Sequence, residues 1–331
     1  MNPKTKMNYV LEKNYEFLYW ISTAFQNLER KMSNNAMSLT YCACATIFGY
    51  INSLHAKFMV KKYSPFQISQ IVLAFNAVLS SYVGLVDGSI RFSVKNPRKF
   101  RFLICRNFLS VVGQLVCFYY LSQYIPLSLI NVIYGFTPII CFVLECLIYS
   151  AKIHLKEIVG SVFSFIGIIL VIDIFELGVE NEHSGKTNES VGFERVKYSF
   201  FCLLGCCGFG FANVIMKELA DVKLMVIHFN WSCLGGILAA ITMIISPINF
   251  VAIELWDWIA ILIFNGLFNF IFMLGFTRAM QLGKKGRVAV VNNLQLFYSF
   301  LVEIIFFDEP PTWVRLLGSV LLVGGVMGTV L

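Results

Sequence analysis

The chain has 331 residues, of which 58% are hydrophobic and only 14% charged, and its mean hydropathy is +0.73. A soluble domain carries roughly 45–50% apolar and about 25% charged residues, so one water-soluble core cannot hide this apolar surface and a bilayer must cover part of it. The net charge of +7 is scattered through gaps between apolar runs, not gathered on one basic face; that excludes a nucleic-acid partner and fits anchoring at an anionic leaflet.

Residues 1–35 carry Lys4, Lys6, Glu12, Lys13, Glu16, Glu29, Arg30 and Lys31 and do not span. Leu11, Tyr15, Leu18, Ile21, Phe25 and Leu28 recur at helical spacing, which predicts an amphipathic helix in the cytoplasmic interface with Trp20 as an anchor. No cleavable signal peptide is expected. Ten apolar runs follow, at 38–58, 66–87, 103–122, 127–149, 156–176, 198–219, 224–246, 256–280, 288–307 and 313–331. At 1.5 Å rise per residue each can cross a hydrocarbon core of about 30 Å as a helix. Prolines at Ser64-Pro65, Ile125-Pro126, Pro247 and Pro310-Pro311 punctuate them. One connection, 177–197, is long, polar and Glu-rich.

With a cytoplasmic N-terminus, 19 of the 26 basic residues fall on the cytoplasmic side, which predicts both termini there. The long connection then faces outward or into a lumen, where Asn188-Glu189-Ser190 is a glycosylation sequon. Plasma membrane and endomembrane are not distinguished. All ten cysteines lie in apolar runs without zinc spacing and read as small buried side chains, so no metal and no cofactor are expected.

Residues 100–173 slide over 258–331 without a gap. Asn107 meets Asn265, Glu145 meets Glu303, and Gly160-Ser161-Val162 meets Gly318-Ser319-Val320. The fold class expected is therefore all-α, ten transmembrane helices as two five-helix repeats, 36–176 and 198–331. Five is odd, so the second copy enters the membrane inverted, an architecture in which a solute site lies between the copies near mid-depth.

The run 106–147, with Arg106, Gly113, Tyr119-Tyr120, Pro126-Leu127 and Pro138, resembles the third and fourth helices of the EamA-type drug/metabolite transporter superfamily. The segment 307–328, with Glu309 and Gly318, resembles that superfamily's closing helix pair. Within it the solute carrier 35-like group is the nearest in character. The resemblance covers roughly 38–331 and implies ten helices and solute transport or exchange. Ala151, an arginine-free second helix, and Leu296 at the position matching Pro138 depart from the pattern and leave the solute open.

Mid-span amides and tyrosines are costly against lipid. They predict a central cavity lined by helices three, four, eight and nine, with helices one and six at its edge. Tyr120, Asn131, Tyr134, Asn292, Gln295 and Tyr298 are the candidates for orienting a solute, and Lys57 and Arg106 for attracting anionic groups. Glu145 and Glu303 are candidates for coupling or gating, against snorkelling near helix ends. Pro138 should free a backbone carbonyl for a ligand or gate. Gly324 and Gly328 suggest packing within the monomer or in a homodimer. The function expected is secondary transport of a small organic metabolite without enzymatic activity. An intramembrane lipid-handling enzyme and a non-transporting receptor or scaffold are the alternatives.

Overall fold

The computed structural model of the chain describes residues 33–60, 62–86, 94, 96–114, 127–152, 154–172, 188–245, 251–298, 301 and 312–330. The amphipathic helix expected over 1–35 falls outside them apart from its last three positions. Every regular element among the described residues is helical.

Helix α1 (Asn34–Met59) opens on Ser33, whose Oγ accepts the Ala36 N–H at 3.3 Å. Helices α2 (Pro65–Val86) and α3 (Pro97–Gln114) start on prolines, where the missing N–H costs nothing. The fourth apolar run is broken into α4 (Leu127–Tyr134) and α5 (Thr137–Tyr149). Ser150 closes α5 in the left-handed conformation, φ 50°. Helix α6 (Leu155–Ile172) begins after His154, whose N–H donates to Glu157 three residues on. Helix α7 (Asn188–Ile215) starts within the stretch read as a loop over 177–197. Polar composition marks water exposure and does not separate a loop from a helix extending beyond the bilayer. Then come α8 (Leu224–Ile245), α9 (Leu255–Ala260), a π segment (Ile261–Leu267), α10 (Phe268–Leu282), α11 (Lys285–Asn292) and α12 (Trp313–Val330).

The helix starts carry the repeat. Helices α3 and α9 begin at Pro97 and Leu255, α4 and α11 at Leu127 and Lys285, α6 and α12 at Leu155 and Trp313. Each pair lies 158 residues apart, the same offset that sets Asn107 on Asn265 and Glu145 on Glu303. Both copies break the same element, for helix stops at Asn292 and resumes at 294 as it stops at Tyr134 and resumes at Thr137. Packing obeys the same rule. The most extensive pairings are α6 with α12, α1 with α10, α2 with α8, α3 with α7, and α5 with α11. Exchanging equivalent elements of the two copies turns the first four of these pairings into themselves or one another.

Helices α6 and α12 touch backbone to backbone. A Cβ on Gly160 would lie 2.7 Å from the Gly325 carbonyl oxygen, and one on Gly167 would lie 2.6 Å from that of Gly318. These two contacts interchange under the 158-residue shift, and their order makes the helices antiparallel. Gly324, half of the GxxxG pair, has nothing within 4 Å of an added Cβ; the packing face is Gly318 and Gly325, one residue round the helix.

Burial is inverted relative to a soluble protein. Asn76, Asn107, Asn265, Ser164 and His228 are buried, whereas Val78, Leu147, Ile244 and Val320 are largely exposed. Apolar side chains facing outward along whole helices are the surface a bilayer covers. Trp256 and Trp313, exposed in the first turns of α9 and α12, stand where interfacial aromatics sit. Among the described residues, five helices are long and apolar enough to cross a membrane, over Pro65–Val86, Val132–Tyr149, Lys197–Ile215, Leu224–Ile245 and Leu255–Leu282, and Trp313–Thr329 is a shorter apolar one.

Candidate functional site

The two broken helices bring the candidate residues to two equivalent places. In the first copy the Tyr134 hydroxyl donates to the Gly113 carbonyl of α3 at 2.8 Å, and its ring centroid lies 5.9 Å from that of Phe209 on α7. In the second copy Asn292 occupies the position 158 residues on; its Oδ1 accepts from Gln295 Nε2 at 3.1 Å. The Gln295 amide lies against Gly49 of α1, where an added Cβ would come within 2.7 Å of its nitrogen, and Tyr298 faces Tyr50 at 6.4 Å between ring centroids. Helices α1 and α7 thus touch the candidate side chains directly.

Pro138 lies at the second position of α5 and cannot donate to the Tyr134 carbonyl. That oxygen is not free, however. It accepts the Thr137 hydroxyl at 2.6 Å, so the open carbonyl expected for a ligand is already used. The side chain beside a proline supplies the missing donor, which reading Pro138 alone does not reveal.

Glu145 is 8% exposed and does not snorkel. Its oxygens accept the backbone N–H groups of Lys285 at 3.2 Å and Gly286 at 3.4 Å, the first turn of α11 in the other copy. A carboxylate there satisfies orphan donors and meets the positive end of the helix. The Phe142 ring packs so closely on Gly286 that no Cβ fits. In the first turn of α6 is Glu157, which the sequence reading missed. It is 1% exposed and takes Lys284 Nζ at 3.0 Å and Arg287 at 2.7 Å. The signal was its third position in a helix, a back-capping place, opposite a basic Lys284–Arg287 run. Two carboxylates of the first copy thereby hold the segment entering α11 of the second.

The apolar run 103–122 sets Arg106 near the start of its helix. Helix α3 begins at Pro97, so Arg106 lies nine residues in, and it is 3% exposed. Its Nη1 donates to Asn107 Oδ1 at 2.9 Å. The other face of α3, Phe100, Ile104 and Phe108, is exposed and apolar. His228 is buried with its ring stacked on Trp231, while Asn230 points elsewhere and bonds its own helix at the Val226 carbonyl. In the second copy Asn265, inside the π segment, bonds Asn52 Oδ1 at 2.9 Å and His55 Nδ1 at 2.5 Å. Two further pairs join the copies. Tyr63 and Lys62 hold Asp257 at 2.7 and 3.2 Å, and Lys99 pairs with Asp221. Asp257 and Lys99 are equivalent positions.

The cysteines act as weak donors between helices: Cys206 Sγ meets the Ile133 carbonyl at 3.3 Å and Cys42 Sγ that of Val288 at 3.3 Å. Tyr120 and Glu303 lie outside the described residues, as do the side chains of Lys57, Asn131 and Asn188; the Asn188 backbone opens α7.

A helical bundle that buries amides and carboxylates between two copies of one unit, with a continuous apolar exterior, defines a multi-pass membrane protein. The sequence pattern of the EamA-like transporter family matches residues 36–173 and 196–331, and the chain belongs to that family. It is 24% identical over 243 residues to human Solute carrier family 35 member G1, covering 69% of this chain and 61% of that protein. It is 21% identical over 225 residues to the Saccharomyces cerevisiae protein named Probable transport protein YPL264C, covering 63% and 64%. The matches span less than two thirds of the length of these curated relatives. A solved crystal structure superposes with a TM-score of 0.71 at 14% identity, over 90% of this chain and 99% of the other, a likeness of fold.

Proposed function

We propose that this chain is a secondary transporter moving a small organic solute by alternating access between two inverted five-helix copies, ten spans in all, with both termini cytoplasmic. The observation that carries the reading is the packing pattern that survives exchange of the copies, with α6 antiparallel to its equivalent α12. Symmetry of that kind lets one arrangement of contacts interconvert with its two-fold counterpart on the other membrane face. Tyr134, Asn292, Gln295 and Tyr298 flank the helix breaks and orient the solute. Tyr120, Asn131, Lys57 and Arg106 complete the set, and Glu145 and Glu303 act in gating.

The test is counterflow in proteoliposomes across a panel of metabolites. The expected result is accelerated uptake of one class, impaired by Asn292→Ala and by Tyr134→Ala in protein that remains folded. Normal transport by both variants would sink the site, and no movement of any solute would sink the function. A single cysteine introduced at Asn188 should label from the non-cytoplasmic side; labelling from the cytoplasm alone overturns the topology.

A further inference from the structure

The contact between α3 and α8 holds a set of buried polar groups that the fold leaves unfinished. Arg106, Asn107 and Ser110 lie on one face of α3 and are at most 3% exposed. His228, Trp231 and Ser232 lie within one turn of each other on α8 and are equally buried. The two helices pack together, Val111 and Trp231 share one apolar cluster, and the field of the Arg106 guanidinium reaches His228. The unpartnered atoms are Arg106 Nε, Asn107 Nδ2, Ser110 Oγ, His228 Nε2, Trp231 Nε1 and Ser232 Oγ.

The chemistry of that set is one-sided. Arginine Nε, the asparagine amide nitrogen and the indole nitrogen only donate, and the hydroxyls and the imidazole nitrogen can donate. Asn76 on α2 gives the contrast: both its amide nitrogen and its carbonyl lack partners, which is what a missing water leaves. In the α3–α8 set three of the six atoms can only donate and none can only accept. It also contains a positive charge, and among the described residues no carboxylate pairs with Arg106. An uncompensated buried charge costs several kcal/mol, and buried donors are rarely left unmade. One occupant answers both deficits, an anion with several acceptor oxygens.

We infer that α3 and α8 form a binding site for the carboxylate or phosphate group of the transported solute, with Arg106 as its counter-ion and Asn107, Trp231 and the two serines as neutral donors. This rests on the transporter reading and adds the charge class of the solute. In the conformation described the site is closed, so loading requires α3 and α8 to part. The repeat supports a special role here. At the equivalent place in the second copy Phe264 stands where Arg106 does, and Asn265 is fully engaged by Asn52 and His55.

The experiment is thermal unfolding of the purified full chain in detergent with sodium phosphate, sodium succinate, sodium chloride, mannitol or short-chain phosphatidate, at matched ionic strength. Phosphate or succinate should raise the midpoint in a saturable way, whereas chloride and mannitol should not. Arg106→Gln should abolish the shift. Trp231→Phe, which keeps the ring and removes the N–H, should weaken apparent affinity about tenfold, the worth of one hydrogen bond to a charged group. Should Arg106→Gln fail to fold, Trp231→Phe carries the test alone. No shift with either soluble anion, or a shift untouched by both variants, overturns the inference, and so does a shift given by phosphatidate alone. Counterflow separates the two readings. Movement of a neutral or cationic solute by Arg106→Gln at the wild-type rate leaves the transporter and refutes the anion site. An Arg106-dependent anion shift without movement of any solute leaves the site and refutes transport.

Discussion

Replacing Glu157 tests whether the two copies are held together by buried charge. Its carboxylate is 1% exposed, and it faces Arg287 at 15% and Lys284 at 35% side-chain exposure. Removing one partner of a buried pair costs roughly 3–5 kcal/mol, because the other charge is stranded. Lys284 can turn to water and contributes little, as exposed pairs do. Glutamine keeps the volume and can still accept the His154 N–H, which spares the helix start. Glu157→Gln should therefore cost about 2–3 kcal/mol, nearly all of it through Arg287. The assay is a double-mutant cycle with Arg287→Gln, read by thermal or denaturant unfolding in detergent. The coupling between the two positions should exceed about 1 kcal/mol, above the scatter of independent sites. Additivity within about 0.5 kcal/mol would refute the claim that this pair ties α6 to the entry of α11.

Gly325→Val should prevent α6 and α12 from closing, since its Cβ would strike the Ser164 backbone and lie 2.5 Å from the Gly160 carbonyl oxygen; loss of monodisperse protein in detergent reads this out, and wild-type behaviour counts against backbone contact. Burial beside Lys217 pushes the Lys285 ammonium, just before the ninth apolar run, down to about 8. A cation with a lowered folded value binds fewer protons folded than unfolded, so stability should rise with pH between about 8 and 10.4, by up to a few kcal/mol. Lys285→Met should abolish that slope, and an unchanged slope would contradict the assignment. Ser150→Gly should raise stability by up to about 1 kcal/mol, because φ 50° suits glycine; a loss would mean that the serine side chain matters more than its backbone.

The architecture was legible because lipid forces periodicity and length. The runs 66–87, 127–149, 224–246 and 256–280 fall within two residues of helix boundaries, and the 158-residue offset recurs in the helix starts. Family membership was carried by Arg106, Gly113, Pro126 and Pro138 together with the repeat. Much of what escaped reading depends on partners brought from the other copy. Nothing local distinguishes Glu145 capping α11 from a snorkelling glutamate. Trp231 and Ser232 look like ordinary apolar-run residues until α3 is laid beside them. The π segment left no trace in composition, because its one extra residue per turn alters register without altering residue type.

Departures from the repeat are the most informative features of the molecule. Two copies of one unit begin with the same packing problem at each equivalent position, and most positions solve it alike. Lys99, paired with Asp221, and Asp257, paired with Lys62, keep an ion pair at one equivalent position while reversing its sign. At Asn107 and Asn265 the solutions diverge. The second copy winds its helix into a π segment and satisfies Asn265 with Asn52 and His55, while Phe264 stacks on the His55 ring 5.0 Å away. The first copy keeps a regular helix, puts Arg106 where the phenylalanine would be, and leaves the Asn107 amide nitrogen without a partner. A scaffold under selection for stability alone would finish both sites the same way, since the locked solution is available to the same fold. One side finished and the other left short of an acceptor is the asymmetry expected when only one of two equivalent positions has to give up its partner to a passing ligand.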